Sequence, residues 1–166
     1  MYSFSKAIDT FTDHLGNFMK WWTVPIMILL VFEVLSRRVF DSATEWNFFV
    51  TQQFFGFFYL LMAPYGLLQN VNIRVDVLYA KFPLKTQAWI DLIGYTLVML
   101  PLCYIVVVYG GQYALNSLLS GESSVSPMRI PIFQVKLFLP IAFLFLGLQT
   151  ISEIIKKARF IKEGEA

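Results

Sequence analysis

The residue best placed for chemistry is Glu33, a carboxylate near the end of an apolar stretch. A charge at the centre of a membrane span costs about 2.5–3.5 kcal/mol on insertion scales, so such a residue calls for a role. Arg37 follows four residues later, the spacing at which side chains pair on one helix face. We therefore predict a structural intramembrane ion pair between Glu33 and Arg37. The alternative is a proton-coupling carboxylate, as in small drug exporters.

Most other chemistry is excluded by the residue counts. His14 is the only histidine and Cys103 the only cysteine, so one chain cannot build a disulfide, a bis-histidine haem or a cysteine metal site. The serines of residues 120–127 stand among turn residues, and Lys136 is the only base near them in sequence. We predict that the chain is not an enzyme and holds no cofactor. A membrane enzyme or redox anchor is the weaker alternative.

The composition indicates a membrane protein. Of 166 residues, 57% are hydrophobic and 14% charged, whereas soluble domains have roughly 45–50% and about 25%. A small soluble fold buries too little of its chain to hide so much apolar surface. The net charge of +2 is too small to indicate nucleic-acid binding.

The apolar pattern predicts an all-α membrane protein that forms a single four-helix domain over residues 1–166. Proline or glycine interrupts each apolar run, and all four tryptophans lie at the starts of these runs, where amphipathic rings suit the headgroup layer. The third run, if helical throughout, is about 46 Å long, so it must tilt or project from the bilayer. The predicted spans are 21–36, 46–68, 89–119 and 130–155.

Two further segments have apolar residues at helical spacing but are too short to cross the membrane. Residues 4–19 carry apolar side chains at spacings of three and four, and so do residues 71–82. Both patterns predict short amphipathic helices in the membrane interface. Alternation over residues 71–77 leaves a strand as the competing interpretation, although an isolated strand at a membrane surface has an unpaired backbone.

The basic residues predict that both termini are cytoplasmic. With an N-in, C-in topology the inner side has nine basic residues and the outer side four. The inner set is Lys6, Lys20, Arg74, Lys81, Lys85, Lys156, Lys157, Arg159 and Lys162, and the outer set is Arg37, Arg38, Arg129 and Lys136. The Arg37–Arg38 pair is the discordant feature.

Four sequence pieces, in order between the predicted spans, carry a family resemblance. They are Arg37-Arg38-Val39-Phe40 with Trp46, then residues 72–79 (NIRVDVLY), then residues 121–124 (GESS), and finally residues 136–141 (KLFLPI) with Leu148-Gln149. Over about residues 20–156 the chain resembles the DctQ-like small membrane subunit of TRAP (tripartite ATP-independent periplasmic) transporters. Two positions depart from the family pattern: Asn72 stands where a histidine is usual, and residues 47–49 lack the usual acidic residue.

The resemblance implies a division of labour in the bacterial inner membrane. A large multi-helix subunit carries the substrate and Na⁺ sites and moves like an elevator, so no Na⁺ is expected in this chain. A periplasmic binding protein delivers the substrate, usually an organic acid. The small subunit is then a fixed brace of a Na⁺-driven uptake system, and it offers part of the docking surface.

Six residues are candidates for partner contact or for anchoring helices. On the outer face these are Arg38, Trp46, Glu122 and Lys136, while Arg74 and Asp76 are candidates for pinning the cytoplasmic helix. Plain helix anchoring is the alternative role of each. The alternative function for the whole chain is a self-sufficient exporter, a homodimer that uses Glu33 for proton coupling.

Overall fold

Four long helices make up the regular structure of the residues that the structure describes. The computed structural model describes residues 2–39, 45–69, 82–121, 123 and 133–163. The helices are α1 (Tyr2–Val39), α2 (Glu45–Leu68), α3 (Leu84–Leu119) and α4 (Phe133–Glu163). No β-strand occurs in this part of the chain, which confirms the all-helical prediction. The helix predicted over residues 71–82, with its strand alternative, lies outside the described residues.

Helix α1 joins two segments that the sequence predicts as separate elements. The interfacial helix expected at 4–19 and the span expected at 21–36 are one helix, with Pro25 inside it. Residues 5–12 run antiparallel to α4, because Ser5 contacts Ser152 while Phe11 contacts Phe145. This half of α1 is thus a continuation of the first span that packs along α4.

Three of the described helices, α1, α3 and α4, are long and apolar enough to cross a membrane. Helix α2 has the predicted bounds to within one residue at its start. It falls below the other three in hydropathy because Asn47, Thr51, Gln52 and Gln53 interrupt its phenylalanines. Helix α3 begins five residues before its predicted span, and its π-helical turns Tyr95–Met99 and Val106–Gly110 do not end it.

Helices that follow one another along the chain alternate in direction. Trp22 stacks on Phe54 at 5.1 Å between ring centroids, and Asn47 reaches Leu29 farther along α1, so α2 is antiparallel to α1. The same direction change relates α3 to α4. The start of α1 and the end of α4 therefore share one end of the bundle, which we call the basic end. The other end is called the Glu33 end. The described basic residues nearest the basic end are Lys6, Lys85, Lys156, Lys157, Arg159 and Lys162.

Helix α4 is the central element, since it packs against each of the other three helices, whereas α3 packs mainly against α4. Two buried apolar clusters lie along it. The first joins Met19, Leu61 and Ala142, and the second joins Leu67, Cys103 and Leu146. Much of α3 is left exposed, including Leu97, Tyr104, Tyr109 and Leu119.

α1 and α2 are in tight contact at Gly16. The ring of Tyr65 occupies the space that a side chain at Gly16 would need. Lys20 places its ammonium 4.8 Å from the centroid of that ring, an attractive cation–π distance. Gln69 donates a hydrogen bond to the Tyr65 hydroxyl at 3.3 Å. The absence of a side chain at Gly16 thus makes room for the Tyr65 ring.

We predict that Gly16→Ala destabilises the chain by about 1–3 kcal/mol, because the new methyl group overlaps the Tyr65 ring and forces the helices apart. The measurement is the unfolding free energy in mixed detergent micelles. Gly94→Ala is the matched control, since a methyl group there meets no atom within 4 Å. Equal effects of the two substitutions would contradict the predicted overlap.

Candidate functional site

Polar side chains form a continuous row between α1 and α4 near the basic end. Ser5, Asp9 and Thr12 recur at spacings of four and three and so share one face of α1. The facing residues of α4 are Gln149, Ser152, Glu153 and Lys156. We call these seven residues the α1–α4 polar cluster. Apart from Asp9 and Lys156, all of them are buried.

Asp9 is the centre of the α1–α4 polar cluster. Its Oδ1 accepts hydrogen bonds from Ser152 Oγ and Gln149 Nε2, both at 2.9 Å, and its Oδ2 lies 2.8 Å from Lys156 Nζ. Since the Ser152 hydroxyl has one proton and gives it to Asp9, Ser5 donates the 2.6 Å bond between the two serines. One carboxylate on α1 therefore orders three side chains of α4.

Two further contacts give partners to the polar groups of the cluster that Asp9 does not bind. Thr12 donates to Gln149 Oε1 at 2.8 Å, and Lys156 Nζ lies 2.6 Å from Glu153 Oε1. Gln149 thus uses both its amide nitrogen and its amide oxygen. A polar group without a partner in an apolar environment costs roughly 2–7 kcal/mol, so this network fixes the angular setting of α1 on α4.

A second ion pair attaches α3 to the same helix. Lys157 Nζ lies 2.8 Å from Asp91 Oδ2, and the Asp91 side chain is only 9% exposed. Lys156 and Lys157 are adjacent in sequence and point to different neighbours, α1 and α3 respectively. The last turns of α4 therefore connect both helices at the basic end.

The Glu33 cluster, made of Glu33, Arg37 and Asn47, joins α1 to α2 at the other end. Arg37 Nε lies 2.7 Å from Glu33 Oε1, and Asn47 Nδ2 donates to Glu33 Oε2 at 2.9 Å and to the Leu29 carbonyl at 3.1 Å. Asn47 is fully buried, and the Glu33 side chain is 14% exposed. Both oxygens of the carboxylate are thus engaged by groups of this chain.

The remaining predicted contact residues do not form one site. Arg38 is exposed one residue beyond Arg37, and Trp46 lies with its ring centroid 6.1 Å from that of Phe32. The Lys136 ammonium lies 4.3 Å from the Tyr113 ring centroid. Its neighbour Val135 packs at Gly56, ten residues or about 15 Å along α2 from Trp46. Arg74, Asp76 and Glu122 lie outside the described residues.

The α1–α4 polar cluster is absent from the predicted site residues, although its signal is present in the sequence. Ser5, Asp9 and Thr12 form a polar stripe beside the apolar one. Phe4, Phe11 and Phe18 of that apolar stripe are exposed. The contact between the polar stripe and Gln149 or Lys156 joins residues that are about 140 positions apart in the sequence, so local patterns do not indicate it.

Comparison with known proteins gives one family. The family model described as "Tripartite ATP-independent periplasmic transporters, DctQ component" matches residues 26–160. The match covers α2 and α3, the last third or so of α1 and nearly all of α4, so the α1 side of the polar cluster lies outside it. No curated protein matches the chain.

We predict that Asp9→Leu destabilises the chain by about 2–4 kcal/mol, because it leaves Lys156, Gln149 and Ser152 without their shared acceptor. Asp9→Asn, which keeps an oxygen acceptor, costs less. The measurement is unfolding in mixed micelles, with a double-mutant cycle against Lys156→Met. The matched control is Asp13→Asn, since Asp13 accepts only an exposed bond from Asn17. Additive effects of Asp9→Leu and Lys156→Met would show that the pair is not coupled.

Proposed function

Because this chain belongs to the DctQ component family of tripartite ATP-independent periplasmic transporters, we propose that it acts as the small membrane subunit that braces the large one. The family consists of transporter components rather than enzymes. In this proposal the large multi-helix subunit binds the substrate and Na⁺ and moves. This chain holds the static part of that subunit in the bilayer and contributes to the surface on which a periplasmic binding protein docks.

The observation that carries the proposal is that the carboxylates Glu33 and Asp9 have their partners within this chain. Glu33 pairs with Arg37, and Asp9 with Lys156, so these carboxylates serve the packing of the chain itself. A residue that binds cargo instead needs hydrogen-bonding capacity that its own chain does not already use. Many large apolar side chains of α1 and α3 are exposed, as contact with lipid or with another membrane subunit requires.

We infer that all four helices cross the bilayer, α2 included. Its 24 residues reach about 36 Å, which exceeds the ~30 Å hydrocarbon core. Asn47 and Thr51 lower its hydropathy but are buried against α1. Gln52 is exposed on α2, and an outward amide in a span is suited to a hydrogen bond with a neighbouring helix of the large subunit.

The proposed orientation places the basic end in the cytoplasm and the Glu33 end in the periplasm of a bacterial cell. The support is the excess of lysine and arginine near the basic end, since retained positive charge sets the orientation of membrane proteins. The Glu33 end, with Arg38 and Trp46, then faces the binding protein. The cargo class proposed is an organic acid, and the driving ion is Na⁺ bound in the large subunit.

Co-purification is the direct test of the brace. We expect the tagged chain to retain a very hydrophobic protein of about a dozen spans through detergent extraction and gel filtration, and uptake in proteoliposomes to need that protein and the binding protein as well. Uptake or efflux of a solute by this chain alone would contradict the proposal.

We predict that Glu33→Gln leaves Na⁺-driven uptake by the three-component system within about twofold of the wild type, because Glu33 serves the packing of α1 on α2. It lowers the unfolding free energy of the chain by about 1–2 kcal/mol, since the charge-assisted bonds to Arg37 and Asn47 weaken. The measurements are uptake in proteoliposomes and unfolding in micelles. The exporter alternative predicts transport by this chain alone and its loss in Glu33→Gln.

We also predict that Arg38→Glu raises the binding-protein concentration needed for half-maximal uptake several-fold, most strongly at low salt, because exposed charges steer association. Lys162→Glu is the control, since this exposed residue lies at the opposite end of the bundle. A larger effect of Lys162→Glu than of Arg38→Glu would reverse the proposed orientation.

A further inference from the structure

A cavity of about 260 Å³ with three basic residues in its lining opens between α1 and α4 at the basic end, beside the α1–α4 polar cluster. It is lined by Ser5, Lys6, Asp9, Ile155, Lys156 and Arg159. The three basic side chains come from both helices, so the cavity exists only where α1 runs along α4. Charged side chains stand in its lining, whereas the cavity between α1 and α4 around Phe11 and Leu148 has no charged residue in its lining.

The charge balance of this lining favours an anion. Lys6, Lys156 and Arg159 face the single carboxylate of Asp9, and that carboxylate already accepts bonds from Ser152, Gln149 and Lys156. An ammonium has three N–H donors, and Lys156 directs two of them to Asp9 and Glu153. Lys6 and Arg159 lie at the exposed rim, where their long side chains can turn toward a bound group.

An apolar stripe leads along α4 to the same cavity. Ile141, Leu144, Leu148 and Ile151 recur at spacings of three and four and are exposed, and Ile155, four residues further, lines the cavity. These spacings keep all five side chains on one face of the helix. The predicted fourth span ends at residue 155, so the cavity lies at headgroup depth and the stripe along the hydrocarbon.

We propose that the cavity binds the phosphate headgroup of an anionic phospholipid, with one acyl chain lying along the stripe from Ile151 to Ile141. Basic pockets between membrane helices at the cytoplasmic side are suited to such headgroups. A free phosphate ion would use the basic residues but not the stripe, and the continuity of the two therefore identifies a lipid. The site requires the bilayer and rests on the orientation proposed above, but it does not depend on the brace function.

The test is native mass spectrometry of the full chain in detergent, titrated with phosphatidylglycerol or with phosphatidylcholine of the same acyl chains. The variant is Lys6→Gln with Arg159→Gln, which leaves the internal pair of Lys156 intact. The matched control is Lys85→Gln with Lys162→Gln, an equal loss of charge near the same end. Circular dichroism of each protein reports that the helices remain folded.

We expect wild type and control to prefer phosphatidylglycerol, and the cavity variant to lose roughly 25-fold of that preference. Each basic side chain near an anionic membrane surface contributes about a factor of five, converted from ~1 kcal/mol. Lys6→Gln alone loses about fivefold. An equal loss in the control would overturn the proposal, as would an unchanged cavity variant. Displacement of the lipid by excess inorganic phosphate would also overturn it, since a free anion would then be the ligand.

Discussion

The structure depends on one constraint: in a lipid environment a polar side chain must find its partner inside the chain, because the hydrocarbon offers none. The result is an interior that is polar in places and a surface that is largely apolar. Asn47, Gln149 and Ser152 are fully buried, while Phe18 and Trp21 are more than half exposed. Asn47, Gln149 and Ser152 each form a hydrogen bond to another helix, and these bonds specify how the helices are set against each other in a way that apolar contact alone does not.

This constraint also bears on function. A carboxylate that is fully engaged by its own chain cannot take up cargo without losing those bonds. Asp9 has three donors from α4, and the carboxylate of Glu33 has donors from α1 and α2. Glu33, which the sequence offers as a proton-coupling residue, is therefore used to hold helices together, and so is Asp9. A subunit of this kind fits the role of a fixed frame beside a moving partner, which is the role proposed above.

The sequence predicts the bounds of the helices better than the contacts between them. The bounds of α2 follow from its apolar run, and the pairing of Glu33 with Arg37 follows from a spacing of four, because both signals are local. The bond from Asn47 to Glu33 and the cluster around Asp9 join distant residues, so no local pattern indicates them. The N-terminal segment shows the consequence. Its apolar stripe predicts an interfacial helix, whereas its polar stripe, paired with α4, makes it the first half of α1.

The positions of the polar contacts explain how four helices can form a stiff frame. Helices that touch only at one apolar point can pivot about it, whereas a second contact at a distance removes that freedom. α1 is bonded to α2 through Asn47 at the Glu33 end and to α4 through Asp9 at the basic end. α3 is held to α4 by Asp91 at the basic end and by the Tyr113–Lys136 contact toward the other end. Between these contacts the packing is apolar, as in the cluster of Leu67, Cys103 and Leu146. Stiffness therefore comes from polar bonds at separated levels, where losing one bond releases a rotation of a helix rather than unfolding the bundle.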